Sequence, residues 1–170
     1  MKNLIFLNGT MGVGKTATSH MLLKLLPQAV FLDGDWCWYA DPFLVNEETK
    51  RLVIDNIGYV LHNFLTCAAY ENVIFCWVMQ EESIMEQVLS RLQNLDYHFY
   101  PFSLVCSEQA LIARLQEDID KGIREKDVLE RALARLPNYW NMPTVKIDVN
   151  DLTPEQAAAS IYKHIYPAEI

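Results

Sequence analysis

A glycine-rich octapeptide between an apolar run and a helix-forming run constrains the fold more than any other feature. Residues 4–7 are wholly apolar and predict a buried strand, and the chain after residue 15 has apolar residues at helical spacing. The intervening segment fits the pattern G-x-x-x-x-G-K-[ST] at every fixed position, and it reads Gly9-Thr10-Met11-Gly12-Val13-Gly14-Lys15-Thr16. This pattern between a strand and a helix is typical of a phosphate-binding loop.

The chemistry of phosphate binding explains the residue types of this loop. Glycines let successive backbone amides turn toward one anion, and the following helix N-terminus adds partial positive charge. We expect Lys15 to place its ammonium on the β- and γ-phosphates and to act in catalysis, and the Thr16 hydroxyl to ligate Mg²⁺. The whole loop, residues 9–16, is therefore predicted to bind ATP with Mg²⁺.

Composition places the chain among ordinary globular proteins. The 170 residues predict a single domain, 1–170, and 51% of them are apolar, which is enough for a full core. Lys and Arg total 14 against 22 Asp and Glu, so the net charge of −8 disfavours a nucleic-acid partner. No apolar stretch predicts a signal peptide or a membrane span, and the cysteines form no C-x-x-C pair. We therefore expect reduced thiols, no membrane contact and a cytoplasmic location.

Five apolar runs alternate with segments of helical periodicity along the whole chain. This order predicts an α/β fold with three layers, α/β/α, around a five-stranded parallel sheet covered on both faces. Ser107 and Asp127 are predicted to cap helices, and Thr153 to open the last helix with a capping box. The predicted strands are 4–7, 29–32, 73–78, 102–106 and 145–147, and a long helix is predicted over roughly 47–71.

Two carboxylates follow the second predicted strand. Asp33 and Asp35 stand at its carboxyl edge, where an open α/β sheet binds ligands. Being two residues apart on an extended chain, they would point the same way. One could orient Mg²⁺ and the other accept a proton from an attacking hydroxyl. The alternative is a simple Asp-Gly-Asp turn.

These features together resemble the small P-loop kinases of metabolites. That group includes shikimate kinase, gluconate kinase, adenylylsulfate kinase and the chloramphenicol phosphotransferases, and residues 12–18 with 25–27 are also similar to tunicamycin-resistance-type proteins. The resemblance implies a nucleotide-kinase-like P-loop fold that uses ATP and Mg²⁺. It implies that Asp33 serves the metal and Asp35 the substrate, and that the stretch near Asp148, Asn150 and Leu152 borders the adenine.

The third predicted strand departs from a common P-loop pattern. Many such enzymes carry an Asp at its end for Mg²⁺, whereas here the chain continues Phe75-Cys76-Trp77-Val78 with no Asp. Either Asp33 takes over the work at the metal or Glu81 reaches it.

Four arginines fall in the region, about 114–135, where such kinases keep a mobile lid. Arg124 is the first candidate to stabilise the transferring phosphoryl group, and Arg114 is the second, as a nucleotide-binding residue. Arg131 and Arg135 share one helical face and would need an anion between them. The alternative is an exposed face that is neutralised by neighbouring acids.

An aromatic segment, residues 36–43, directly follows the carboxylates. Its four rings suit stacking on a flat or ring-shaped acceptor, or else core packing. Lys50 and Arg51 could bind an anionic group of that acceptor, or simply form a solvated helix start.

The predicted activity is ATP-dependent transfer of the γ-phosphoryl group to a hydroxyl of a small-molecule acceptor. A candidate base at Asp35 favours a hydroxyl, because the oxygen of a monophosphate is already ionised. The alternatives are a nucleoside or nucleotide kinase, and an ATP-binding resistance or sequestration protein with slow hydrolysis. We expect a monomer or homodimer.

Overall fold

Five strands form one sheet in the computed structural model, which describes residues 1–167. They are β1 Lys2–Asn8, β2 Ala29–Asp33, β3 Asn72–Cys76, β4 Tyr97–Val105 and β5 Val145–Asp148. Their order is β2-β3-β1-β4-β5, and every neighbouring pair is parallel. The predicted five-stranded parallel sheet is therefore confirmed.

Six α-helices connect and follow these strands within the same residues. They are α1 Lys15–Leu25, α2 Glu47–Thr66, α3 Glu82–Leu89, α4 Glu108–Asp120, α5 Val128–Asn141 and α6 Pro154–Ile165. The Ser107 side chain caps α4, and Thr153 with Gln156 forms the predicted capping box at α6. The predicted cap at Asp127 is wrong. Its backbone is already helical (φ −66°, ψ −17°), so its carboxylate pairs with Arg131 at 3.0 Å instead.

Both faces of the sheet are buried, which produces the three predicted layers. In β1, Leu4 and Phe6 pack in a core with α2 and α3. Ile5 and Leu7 point to the other side and pack in a second core with α1, α4 and α6. This explains why β1 is wholly apolar rather than alternating in sequence.

Several element boundaries differ from those predicted, and three of the differences have a clear structural reason. β3 ends at Cys76, so Trp77 and Val78 leave the sheet. β4 begins at Tyr97 although Pro101 lacks an amide proton, because residues 97–101 pair only with β1 and β5 joins at Phe102. α2 ends at Thr66 rather than near residue 71, since Cys67 turns to an extended conformation.

The four cysteines are free, as expected, but they differ in exposure. Cys76 and Cys106 are buried, Cys37 is half-buried and Cys67 is exposed. Among the helices of residues 1–167, none has both the length and the apolar character needed to cross a bilayer.

Candidate active site

The glycine-rich loop joins the carboxyl end of β1 to the N-terminus of α1. Gly12 and Gly14 have φ angles of +79° and +106°, which residues other than glycine rarely adopt. A Cβ at Gly12 would also lie 2.4 Å from Cδ2 of Leu115 on α4. The two glycines thus allow a compact turn packed against α4, directly before the first amides of α1.

Lys15 reaches back across this loop. Its Nζ donates to the carbonyl of Thr10 at 2.9 Å, and the Thr10 hydroxyl donates to the carbonyl of Ala132 on α5 at 2.8 Å. Burial lowers the pKa of Lys15, while the nearby charges of Asp33 and Asp35 oppose that shift. The ammonium is therefore buried next to two carboxylates and at the rim of the loop.

Asp33 binds Thr16 at the end of the loop, and Asp35 is held next to Asp33. Asp33 Oδ2 accepts a hydrogen bond from the Thr16 hydroxyl at 2.9 Å, and its Oδ1 accepts from the Asp35 amide at 3.1 Å. The expected extended geometry is wrong, because a 3₁₀ turn, Gly34–Cys37, starts after Asp33. Burial and the charge of Asp33 raise the pKa of Asp35.

The end of β3 contributes two side chains that the sequence did not single out. The Cys76 thiol lies 3.5 Å from Oδ2 of Asp33 and 3.9 Å from the Thr16 hydroxyl, and burial raises its pKa to about 12. Nε1 of Trp77 donates to Oδ1 of Asp35 at 3.1 Å. Their position at the carboxyl end of a central strand was the available signal.

Asp33, not Glu81, lies beside the Thr16 hydroxyl. Glu81 stands outside the cleft, where its Oε2 accepts from the Ser83 hydroxyl at 3.5 Å. Within residues 1–167, no group of three or more His, Cys, Asp or Glu side chains is arranged to hold a metal ion.

An open cleft of about 400 Å³ runs along the loop and the carboxyl ends of β2 and β3. Gly9, Thr10 and Val13 lie outside its walls. The cleft brings together nine of the predicted site residues: Met11, Gly12, Gly14, Lys15, Thr16, Asp33, Asp35, Arg114 and Arg124.

Of the four arginines in the predicted lid region, only Arg114 and Arg124 line this cleft. Nε of Arg124 donates to Oδ2 of Asp118 at 2.9 Å, and both side chains line the cleft. Arg131 pairs with Asp127, and neither Arg131 nor Arg135 lines the cleft, so the structure does not bring the expected arginine pair to the site.

Arg114 also lines a second, smaller cavity of about 170 Å³. Its guanidinium donates to the carbonyls of Val13 at 3.4 Å, of Asn150 at 3.3 Å and of Val149. Leu152 lines this cavity, whereas Oδ1 of Asp148 accepts from the Asn150 amide at 2.9 Å. The cavity is thus a mostly apolar slot beside the loop and β5.

The aromatic segment lies outside both cavities. Trp36, Tyr39 and Phe43 are 60%, 99% and 58% exposed. Trp38 instead packs on the core with α2, and its ring centroid lies 4.9 Å from that of Phe43. Lys50, the candidate acceptor cation on α2, pairs with Glu47 at 2.9 Å.

Comparison with known proteins shows the family. The family model described as AAA domain matches residues 5–133, more than half of the chain, and the chain belongs to that family. No curated protein sequence matches it.

Solved structures show the same fold at low sequence identity. The tunicamycin resistance protein of Deinococcus radiodurans is 21% identical (TM-score 0.69), and the match covers 98% of this chain and 96% of that one. Shikimate kinase of Acinetobacter baumannii is 18% identical (TM-score 0.67; 100% and 96% covered). A gluconokinase of Sinorhizobium meliloti 1021 is 17% identical (TM-score 0.64; 96% and 93%). The expected resemblance to small P-loop kinases is thereby confirmed for the fold.

Proposed function

We propose that this AAA-family domain is an ATP-dependent kinase that phosphorylates a hydroxyl of a small molecule. The convergence of Lys15, Thr16, Asp33 and Asp35 on one cleft carries the proposal. A phosphate loop accounts for donor binding, and the Asp35 carboxylate in the same cleft accounts for proton removal. Neighbours named as shikimate kinase and gluconokinase support the same reaction class.

On the donor side, the amides of residues 9–16 would hold the phosphates of ATP. The slot beside Leu152 and Arg114 suits the flat adenine ring, and Arg124 would close over the phosphates as part of a lid at 114–135. Hydroxyl and carboxylate oxygens are the ligands that Mg²⁺ prefers, so Thr16 and Asp33 fit that cation. Bound Mg²⁺ would neutralise charge on the β- and γ-phosphates.

On the acceptor side, Asp35 is the proposed base. It would take the proton of the acceptor hydroxyl while that oxygen bonds to the γ-phosphorus. The bond from the γ-phosphorus to the bridging oxygen breaks, and its electron pair leaves with ADP. Partial desolvation by the cleft walls and the charge of Asp33 favour this role, because they raise the pKa of Asp35 and make the carboxylate a stronger base.

A hydroxyl acceptor fits the charges of the cleft better than a monophosphate does. Arg124 and Lys121 already pair with Asp118 and Glu117 in the cleft wall, at 2.9 and 2.5 Å. Among the described cations lining the cleft, only Lys15 and Arg114 have no carboxylate in direct contact. Arg114 is held by backbone carbonyls beside the smaller cavity, and the donor phosphates require Lys15.

A second candidate is an ATP-binding resistance or sequestration protein with slow hydrolysis. The neighbour named as a tunicamycin resistance protein and the exposed Trp36, Tyr39 and Phe43 favour it. For either candidate we propose a cytoplasmic monomer or homodimer that works without nucleic acid or membrane.

Transfer of label from γ-labelled ATP distinguishes the candidates. The panel of acceptors comprises sugars, shikimate-like acids, nucleosides, nucleotides and antibiotics, each with Mg²⁺. Label on a hydroxyl compound supports the kinase, and label on a nucleotide supports a nucleotide kinase. Slow phosphate release that no acceptor changes supports the sequestering protein.

A further inference from the structure

Trp77 occupies a place in the cleft that the loop and the two carboxylates do not explain. β3 ends at Cys76, and the Trp77 amide still donates to the Leu7 carbonyl at 3.3 Å. The side chain then leaves the sheet and forms part of the cleft wall, half-buried. Its Nε1 donates to Oδ1 of Asp35 at 3.1 Å.

Gly34 provides a second, independent observation. A Cβ at this position would lie 2.4 Å from Cγ and 2.6 Å from Cδ1 of Trp77. Contacts below 3 Å require something to move, so the indole rests directly on the backbone between the two carboxylates. The absence of a side chain at residue 34 thus lets the indole approach Asp35.

The indole fixes one oxygen of Asp35 and leaves the other available. Within residues 1–167, Oδ1 accepts from Trp77 and Oδ2 accepts no hydrogen bond from the protein. The amide of Asp35 is held separately by Oδ1 of Asp33 at 3.1 Å. The backbone of Asp35 is therefore fixed by Asp33, and its side chain is fixed by Trp77.

We propose that Trp77 is a positioning residue, whose indole N–H holds Oδ1 of Asp35 so that Oδ2 is presented to the acceptor hydroxyl. The inference rests on the proposed function, in which Asp35 takes the proton. An indole suits this task, because it only donates and cannot compete for the proton. It is also neutral, so it orients the carboxylate without adding a charge beside Lys15 and Arg124.

The decisive variant is Trp77→Phe, which keeps a ring over Gly34 and removes the donor. Hydrolysis of Mg²⁺-ATP is the probe, since water takes the place of the acceptor hydroxyl. We expect kcat to fall about 10-fold, the size of one hydrogen bond to a charged group, with the KM for ATP within about 2-fold. Trp140→Phe is the matched control, because Trp140 is 48% exposed on α5 and lies outside the cleft.

A spectroscopic measurement tests the contact without any activity. The chain has four tryptophans, so the ¹⁵N-labelled protein has four indole N–H signals, and Trp77→Phe identifies one of them by its loss. We expect Asp35→Asn to shift that signal while the Trp140 signal stays in place. Gly34→Ala should shift it as well, because the added Cβ displaces the indole.

The outcomes separate this inference from the proposed function. Unchanged kcat in Trp77→Phe, or an indole signal that Asp35→Asn leaves in place, overturns the role of Trp77. A rise of about 10-fold in the KM for ATP of Trp77→Phe, as large as the fall in kcat, would also overturn it, because it indicates a structural defect of the whole cleft. Full phosphoryl transfer by Asp35→Asn would instead remove the proposed base, whatever Trp77 does.

Discussion

The donor side and the aromatic segment of this molecule lie next to each other and are built in opposite ways. On the donor side, Lys15, Thr16 and Asp33 are tied to the loop and to one another by hydrogen bonds of 2.9 Å. In the aromatic segment, Tyr39 is 99% exposed and Phe43 is 58% exposed. A phosphate chain is the same in every donor, so its site can be formed in advance. In the proposed kinase the acceptor would differ between enzymes, so the segment proposed to meet it would be left open.

Lys15→Ala should have the largest effect, since it removes the buried cation of the donor side. We expect both ATP affinity and turnover to fall by at least about 100-fold, because a pre-positioned charge at the transferring group is lost. Calorimetric titration with ATP measures the affinity. Lys24→Ala, which removes an exposed lysine of the same helix, is the control, and equal ATP binding by both variants would contradict the assignment.

Asp35→Asn should separate the two sides. ATP binding is expected to persist, whereas transfer falls by about 100-fold or more, because the amide cannot take up a proton. Transfer is measured with the acceptor that accepts label in the panel, and ATP affinity by calorimetry. Asp96→Asn changes an exposed carboxylate before β4 and should leave both quantities unchanged. A loss of ATP binding in Asp35→Asn as large as the loss of transfer would show that Asp35 contributes to donor binding as well as to transfer.

Gly12→Ala tests how tightly the donor side is packed. The substitution combines a positive φ with a Cβ 2.4 Å from Leu115, and we expect it to lower the free energy of unfolding by about 2–4 kcal/mol. Gly122→Ala is the control, because its φ is +69° but its Cβ would meet open space, so only about 1–2 kcal/mol is expected. Equal destabilisation in urea unfolding would show that contact with α4 contributes nothing.

Tyr39→Ala should have the smallest effect on the isolated protein. Its side chain is almost fully exposed, so we expect a change in the free energy of unfolding below about 0.5 kcal/mol and unchanged ATP affinity. Any change in kinetics should be confined to the KM of the acceptor. A measurable loss of ATP binding would show that this segment belongs to the donor side after all.

The sequence predicted the glycine-rich loop and its flanking strand and helix well, because the pattern is local. The spacing of Gly9, Gly14, Lys15 and Thr16, with a strand before and a helix after, is sufficient to specify the loop. Apolar runs located all five strands within a few residues. The predicted strand ends were wrong where the neighbouring strands decide them. β4 tolerates Pro101 because β5 pairs with it only from Phe102 onward.

The neighbours of the carboxylates were not predictable, because they come from distant parts of the chain. Trp77 lies 42 residues from its partner Asp35, and Cys76 lies 43 residues from Asp33. Their contacts arise because β2 and β3 pair in register, which places Asp33 opposite Cys76. A spacing rule cannot give that register. The 3₁₀ turn after Asp33 agrees with the alternative that the sequence offered, an Asp-Gly-Asp turn, rather than with the extended geometry.

A crystal structure of this chain with Mg²⁺ and a non-hydrolysable ATP analogue would show whether residues 9–16 bind a polyphosphate. We expect the β- and γ-phosphates to lie against the amides of residues 9–16 and the Nζ of Lys15, with Mg²⁺ near Thr16 and Asp33. A polyphosphate bound elsewhere, or a loop that remains closed to it at saturating analogue, would show that residues 9–16 are not a phosphate-binding loop.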